Sequence, residues 1–198
     1  MMLTEQTAVP ATALPVAEFK DHLRLGTGFA DDAMQDGLAE SYLRAALAAI
    51  EGRIGKALLA RQFLWRLAAW RDAADQALPV APISAILSLV LVAADGTRTT
   101  VAADRYRLIE DMQRPRIAAT GLVLPEIPTE GAAEIGFEAG FGPDWTDLPA
   151  DLRQAVLLLA AEYYEQRHDA GGPRAAMPFG VMALIERWRT VRVLGGGA

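Results

Sequence analysis

Apolar positions along this chain follow a helical rhythm at both ends and a strand rhythm in the middle. Near the start, Val16, Phe19 and Leu23 recur at helical spacing behind Pro15. That spacing predicts a short helix ending near Gly26. Asp31 and Asp32 then offer an N-cap, with Gln35 as a capping-box partner three residues after Asp32. Leu43, Leu47, Ile50 and Ile54 form one stripe with alanines between them, a composition that favours helix and close approach of a neighbour. Gly55 suits the position after the helix end. Neither helix buries its stripe alone, so residues 1–60 are expected to form an N-terminal helical hairpin.

Between residues 61 and 142 the period changes to two. Phe63, Trp65 and Leu67 alternate with Leu64, Arg66 and Ala68, the pattern of a half-buried strand. Pro79 and Pro82 bracket an extended or turned stretch. Residues 86–92 are rich in branched side chains, and residues 99–101 follow across Ala94-Asp95-Gly96-Thr97. Asp-Gly between two such runs predicts a hairpin whose two central residues both take positive φ. Residues 106–109 and 116–118 are further short strands. Ala133, Ile135, Phe137 and Ala139 mark the last one, ended by Gly140-Phe141-Gly142-Pro143.

Residues 143–198 return to helix. Pro149 fits the first turn, where its missing N–H has no partner in any case. Residues 150–168 read as one helix. Its apolar positions, Leu152, Val156, Leu157, Leu159, Ala160 and Tyr163, cover more than a narrow stripe and predict a central core helix. Gly171-Gly172-Pro173 breaks the chain. A last helix starts near Pro178 with Val181, Leu184, Ile185 and Trp188 on one face, and Gly195-Gly196-Gly197 closes the sequence. The class expected is α+β. N-terminal and C-terminal helices form a helical bundle around a central β-rich insertion that contains a hairpin, all in one domain over residues 1–198.

Composition narrows the function classes. Hydrophobic residues make up 52% and charged residues 22% of the 198, enough for a sizeable core and too apolar for a disordered chain. The absence of cysteine excludes disulfides and cysteine-based zinc sites. A net charge of −6 argues against a dedicated nucleic-acid binder. The longest strongly apolar run, residues 155–161, is far short of a membrane span. Residues 1–6 lack the basic start of a signal peptide. These features predict a soluble chain made in the cytoplasm.

Few residues invite chemistry. His168 lies near Glu162, Glu165 and Asp169, but a histidine in the last turn of a helix is also favoured by the macrodipole, and no second motif completes a metal site. Asp31, Asp32 and Asp36 lack the alternating ligands of a calcium loop and read as helix capping. Gly140-Phe141-Gly142 lacks the order of a phosphate loop. Glu110 with Asp111, and Glu126 with Glu130, read as solvated loop carboxylates rather than an acid–base pair. The expectation is no catalytic residue, no cofactor and no metal. Arg187, Arg189 and Arg192, with Trp188 and Val191, form either a basic edge whose stems cover apolar surface or a docking element rich in interface anchors.

The order of segments resembles the head–tail connector (adaptor) family of tailed phages, in its larger form with a β-rich insertion. The resemblance rests on Ala17-Glu18-Phe19-Lys20-Asp21-His22-Leu23-Arg24-Leu25, Leu78-Pro79-Val80-Ala81-Pro82-Ile83, Ala94-Asp95-Gly96-Thr97 and Ile135-Gly136-Phe137-Glu138-Ala139-Gly140-Phe141-Gly142. It continues through Leu148-Pro149-Ala150-Asp151-Leu152-Arg153-Gln154-Ala155-Val156-Leu157-Leu158-Leu159, Tyr163-Tyr164-Glu165-Gln166-Arg167 and Pro178-Phe179-Gly180-Val181. Residues 112–129 match least. The resemblance implies a non-enzymatic virion protein at the head–tail interface of a phage or a gene transfer agent. It implies a homododecameric ring under the portal protein that extends the DNA channel without binding DNA specifically. The ring would present a surface to the next neck protein (stopper) or the tail. The resemblance points the same way as the anchor-rich tail, to portal docking by Trp188, Arg189, Arg192 and Val193. The small polar loop Ala94, Asp95, Gly96 and Thr97, which needs no burial, is expected to contact a neighbouring subunit or the next neck protein. A stopper or tail-completion protein, and a small enzyme or ligand-binding domain, are the alternative classes.

Overall fold

A computed structural model of the chain describes residues 2–23, 33–166 and 177–189. Among them are four α-helices and two antiparallel sheets. They fall into two compact units: the described residues of Met1–Val9 and Lys56–Asp144, and those of Pro10–Gly55 and Trp145–Ala198.

The first unit holds eight strands: β1 (Met2–Glu5), β2 (Arg61–Leu67), β3 (Asp75–Ala77), β4 (Ile83–Val92), β5 (Arg98–Thr100), β6 (Tyr106–Ile109), β7 (Arg116–Ala119) and β8 (Ala132–Ala139). Five make one sheet in the order β1-β2-β8-β4-β5, and three make another in the order β3-β7-β6. The period-two pattern of β2 drives Phe63, Trp65 and Leu67 into the core and leaves Arg66 out. Phe63 lies opposite Phe137 on β8, with ring centroids 5.6 Å apart and nearly parallel. Ile135, Leu89 on β4, and Ile117 on β7 complete that core. The other face of β8 is covered too. Glu134 is buried beneath Arg66 and Arg98, and Gly136 lies under Ser88.

Two strands are absent from the hydrophobic pattern. Strand β1 is exposed along its whole length and is a strand only because it pairs with β2, Leu3 opposite Trp65. Strand β3 has three residues, too few to show a period. The hairpin between β4 and β5 forms where expected, but with a different turn. Gly96 N–H donates to Ala93 O, Ala93 N–H donates to Thr97 O, and Gly96 alone takes positive φ, at 85°. A three-residue loop ending in one left-handed glycine replaces the expected two-residue turn. The extra residue removes any need for positive φ at Asp95, whose Oδ1 instead accepts Thr97 N–H at 2.8 Å.

The second unit holds α1 (Val16–His22), α2 (Ala33–Ile54), α3 (Ala150–Glu165) and α4 (Phe179–Ile185). The predicted stripe of α2 is buried at Leu43, Leu47, Ile50 and Ile54. Helix α3 buries Leu152, Ala155, Val156, Leu157, Leu159 and Ala160, and touches each of the other three helices. Helix α1 meets both α2 and α3, and it plants Phe19 where no solvent reaches. Pro149 stands one residue ahead of α3, as its N-cap with ψ 141°, rather than inside the first turn. The expected helix end at His168, and Asp31 and Asp32 before α2, lie outside the described residues. Helix α4 is shorter than its apolar pattern: it stops at Ile185 and gives way to a 3-10 turn over Glu186–Trp188.

Gly140 is held at φ 139°, and a Cβ there would sit 2.4 Å from the backbone of Ala60. A Cβ on Gly136 would meet only the Ser88 hydroxyl, at 2.6 Å, which a rotamer change moves aside. Gly140→Ala is therefore expected to destabilise the fold by about 2–4 kcal/mol, and Gly136→Ala by about 1 kcal/mol or less. Urea unfolding of both variants checks the order.

Candidate functional site

The end of the second unit is organised by one carboxylate. Asp151, in the first turn of α3, accepts the Trp188 indole N–H at 2.8 Å on Oδ2, and the same oxygen forms an ion pair with Arg187 Nε at 2.7 Å. Its Oδ1 accepts Leu152 N–H at 3.0 Å. The Arg187 guanidinium lies 4.6 Å over the Trp188 ring. Trp188 is half-buried, and Arg189 is exposed with its guanidinium on Glu186 at 2.9 Å. Of the four residues expected to dock, the structure therefore places Trp188 against α3 and Arg189 towards solvent. Arg192 and Val193 lie outside the described residues. Phe179, at the start of α4, is 88% exposed.

In the first unit, Ala94, Asp95, Gly96 and Thr97 form an exposed loop with a fixed backbone. Thr97 N–H holds the Asp95 carboxyl below the usual carboxylate range. The base of the hairpin is tied to the sheet by Arg98, which donates to Glu134 Oε2 at 2.6 Å while Arg66 donates to Oε1 at 2.7 Å. Two guanidiniums with solvent on one side thus share a carboxylate that is buried, and each bond is charge-assisted.

The residues that invited chemistry are dispersed or structural. Asp36 pairs with Lys20, and Glu162 accepts from the Gln166 side chain. Glu165, Glu126 and Glu130 are exposed. His168 and Asp169 lie outside the described residues. Asp111 caps a turn, accepting Gln113 and Arg114 N–H at 2.7 Å each, and those bonds hold its carboxyl below the ordinary range. Gly140, Phe141 and Gly142 zip the end of β8 onto residues 58–60 and Pro82 through backbone hydrogen bonds. Among the described residues no group of three or more metal-ligating side chains gathers, and no helix is long and apolar enough to cross a membrane.

Three features escaped sequence reasoning. Lys56 is 1% exposed, and its ammonium donates to Met112 O and, at 3.1 Å, to Gln113 Oε1. Burial pulls its pKa down, and Asp111 partly offsets that. An open apolar cavity of about 410 Å³ is lined by Ala68, Trp70, Val123, Leu124 and Ile127, with Glu126 at its edge. Leu122, next in sequence to this lining, is 93% exposed. Asp151 also escaped, since a lone acidic residue in a first helical turn reads as a dipole partner. No spacing rule links it to Trp188.

No protein-family model matches the chain, and no curated protein matches it either. Solved structures do. One, described as the neck of an empty GTA particle with C6 symmetry, is 63% identical with TM-score 0.90, covering 99% of both chains. A second, the virion of a native gene transfer agent (GTA) particle, is 64% identical with TM-score 0.87 over 99% of both chains. A third, the neck of a native GTA particle with C12 symmetry, is 60% identical with TM-score 0.85, again over 99% of both.

The buried ammonium makes a pH prediction. Its folded pKa lies below the ordinary lysine value of 10.5, so in the window just under 10.5 the unfolded chain binds more protons than the folded one. This group therefore makes stability rise with pH there. Lys56→Met is expected to remove that slope and to speed amide exchange at Gln113 and Arg114, whose loop loses its anchor. Thermal melts across the window and hydrogen exchange measure the two effects.

Proposed function

The chain belongs to the neck proteins of gene transfer agent particles, and on that premise we propose that it is the head–tail connector (adaptor) of its particle. Its place is the virion, at the head–tail interface. In this reading all 198 residues act as one connector domain, a helical bundle carrying the β-rich unit as an insertion. Twelve copies form a ring beneath the portal protein and receive the next neck protein (stopper) or the tail. The role is structural and non-enzymatic, and DNA passes through the ring without specific binding. The observation that carries the proposal is likeness over 99% of the chain to a protein of a neck with C12 symmetry. The two long helices, α2 and α3, favour an adaptor over a stopper or tail-completion protein, which would be β-barrel-like. An acidic chain suits a channel wall, because phosphate affinity comes mainly from lysine and arginine.

The docking element is the end of the chain, with Trp188, Arg189, Arg192 and Val193 meeting the portal. The loop Ala94, Asp95, Gly96 and Thr97 contacts a neighbouring subunit or the stopper. Truncation after Arg189 keeps the Trp188–Asp151 bond, so the shortened chain is expected to melt within a few degrees of the full one. It is also expected to fail to join filled heads. Electron microscopy of particles made with the truncated chain counts attached necks and tails, and normal attachment would refute portal docking by this segment. Deletion of residues 94–97 is expected to leave portal binding intact and to reduce tailed particles. A binding assay with purified portal separates the two elements, and a full-length chain that binds stopper but not portal would refute the adaptor reading.

A further inference from the structure

The pairing register gives the main sheet of the first unit two unlike ends. At one end Glu5 lies opposite Phe63 and Arg61 opposite Ala139. The chain enters or leaves the unit beyond this end, at Val9, Lys56 and Asp144. At the other end Met2 lies opposite Arg66, Leu67 opposite Ala133 and Val92 opposite Ala132. That end gathers the hairpin loop 94–97, the segment 68–74 that follows β2, and the loop 120–131 that leads into β8. Two hydrogen bonds join the last two, Leu124 N–H to Ala73 O and Trp70 Nε1 to Pro125 O, both at 2.7 Å. Pro125 and Pro128 each fix φ in the loop. The cavity of about 410 Å³ is lined from these same two segments, so its walls are held before any partner arrives.

We propose that this end of the first unit is a docking surface for a different neck protein, one that seats a large apolar side chain, flanked by lysine or arginine, in the Trp70 cavity. This rests on the reading of residues 94–97 as a contact to the next neck protein, and it gives that partner its chemistry. The Trp70 N–H is taken by Pro125, so the ring offers the cavity only apolar surface. Beside it Leu122 is 93% and Val123 56% exposed, two consecutive apolar side chains that no described residue covers. Apolar surface of this kind, with a tryptophan at its centre, marks a protein contact. The margin selects the partner. Asp72, Asp95, Asp104, Glu126 and Glu130 are exposed around this end, against Arg71 and Arg105. Arg66 and Arg98 are engaged by Glu134. An acidic margin repels another copy of a chain whose net charge is −6 and attracts a basic partner. Apolar centre and polar margin, with Asp95 supplied by the hairpin loop, together make one interface.

The test measures binding of the full chain to the purified next neck protein of the particle, to the purified portal, and to itself. Leu122→Asp, and Ala73→Phe to fill the cavity, are each expected to weaken binding to the neck protein about tenfold or more, with portal binding unchanged. Leu122 is so exposed that its variant should melt with the parent chain, which a thermal scan checks. If Ala73→Phe fails to fold, Leu122→Asp answers alone. Glu126→Lys should weaken binding several-fold, and added salt should weaken the parent more than this variant. Normal binding by Leu122→Asp, while deletion of residues 94–97 abolishes it, overturns the cavity as anchor and leaves the hairpin contact standing. Loss of self-association or of portal binding by Leu122→Asp, with the neck protein still bound, assigns the patch to another copy or to the portal and overturns the proposal. Binding indifferent to salt and to Glu126→Lys overturns the basic partner. A parent chain that binds portal but not the neck protein overturns the reading of the hairpin loop itself.

Discussion

Strand β8 is hydrogen-bonded on both edges, to β2 on one side and β4 on the other, and buried on both faces. The main sheet cannot close until residues 132–139 meet partners first laid down at residues 61–67 and 83–92. Such pairing costs loop closure before any contact rewards it. Side-chain choices along β8 answer to this position. Ala133 and Ala139 share the buried cluster with Phe63, Trp65 and Leu89, and Phe137 stacks on Phe63. Gly136 admits Ser88, and Glu134 is tolerated only because Arg66 and Arg98 arrive from the two flanking sides.

The two units solve the burial problem differently. In the first, apolar faces of two sheets supply the core, and polar groups are satisfied by short side-chain bonds such as Trp70 Nε1 to Pro125 O at 2.7 Å. In the second, α3 is the shared partner of three helices, so its apolar surface wraps most of its circumference. Two indole links stand near the start of α3: Trp145 Nε1 to Glu18 at 2.8 Å, and Trp188 Nε1 to Asp151 at its first turn. An indole suits such a site because its ring packs on apolar surface while its N–H needs one acceptor.

These features fit a structural component of a particle neck. The hairpin loop and the end of α4 are each tied by an ion pair, Arg98 to Glu134 in one case and Arg187 to Asp151 in the other. A fixed base lowers the entropy lost when a neighbour binds, and that matters most when many identical copies must present the same surface in register.

The hydrophobic pattern determined the helices, the strands that bury a face, and the place of the hairpin, because burial follows from local periodicity and each such segment carries its own rhythm. Leu43, Leu47, Ile50 and Ile54 on α2, and Phe63, Trp65 and Leu67 on β2, are buried as their spacing predicts. What only the tertiary structure decided lacks that rhythm. Strand β1 is made by its partner, Lys56 is buried by a loop more than fifty residues away, and the turn at Gly96 took one more residue than the dipeptide implied. Trp188 is held by Asp151, 37 positions earlier, through a hydrogen bond that no local spacing encodes. Periodicity reports which face of a segment avoids water, whereas pairing and polar satisfaction depend on which distant groups the fold brings within bonding distance.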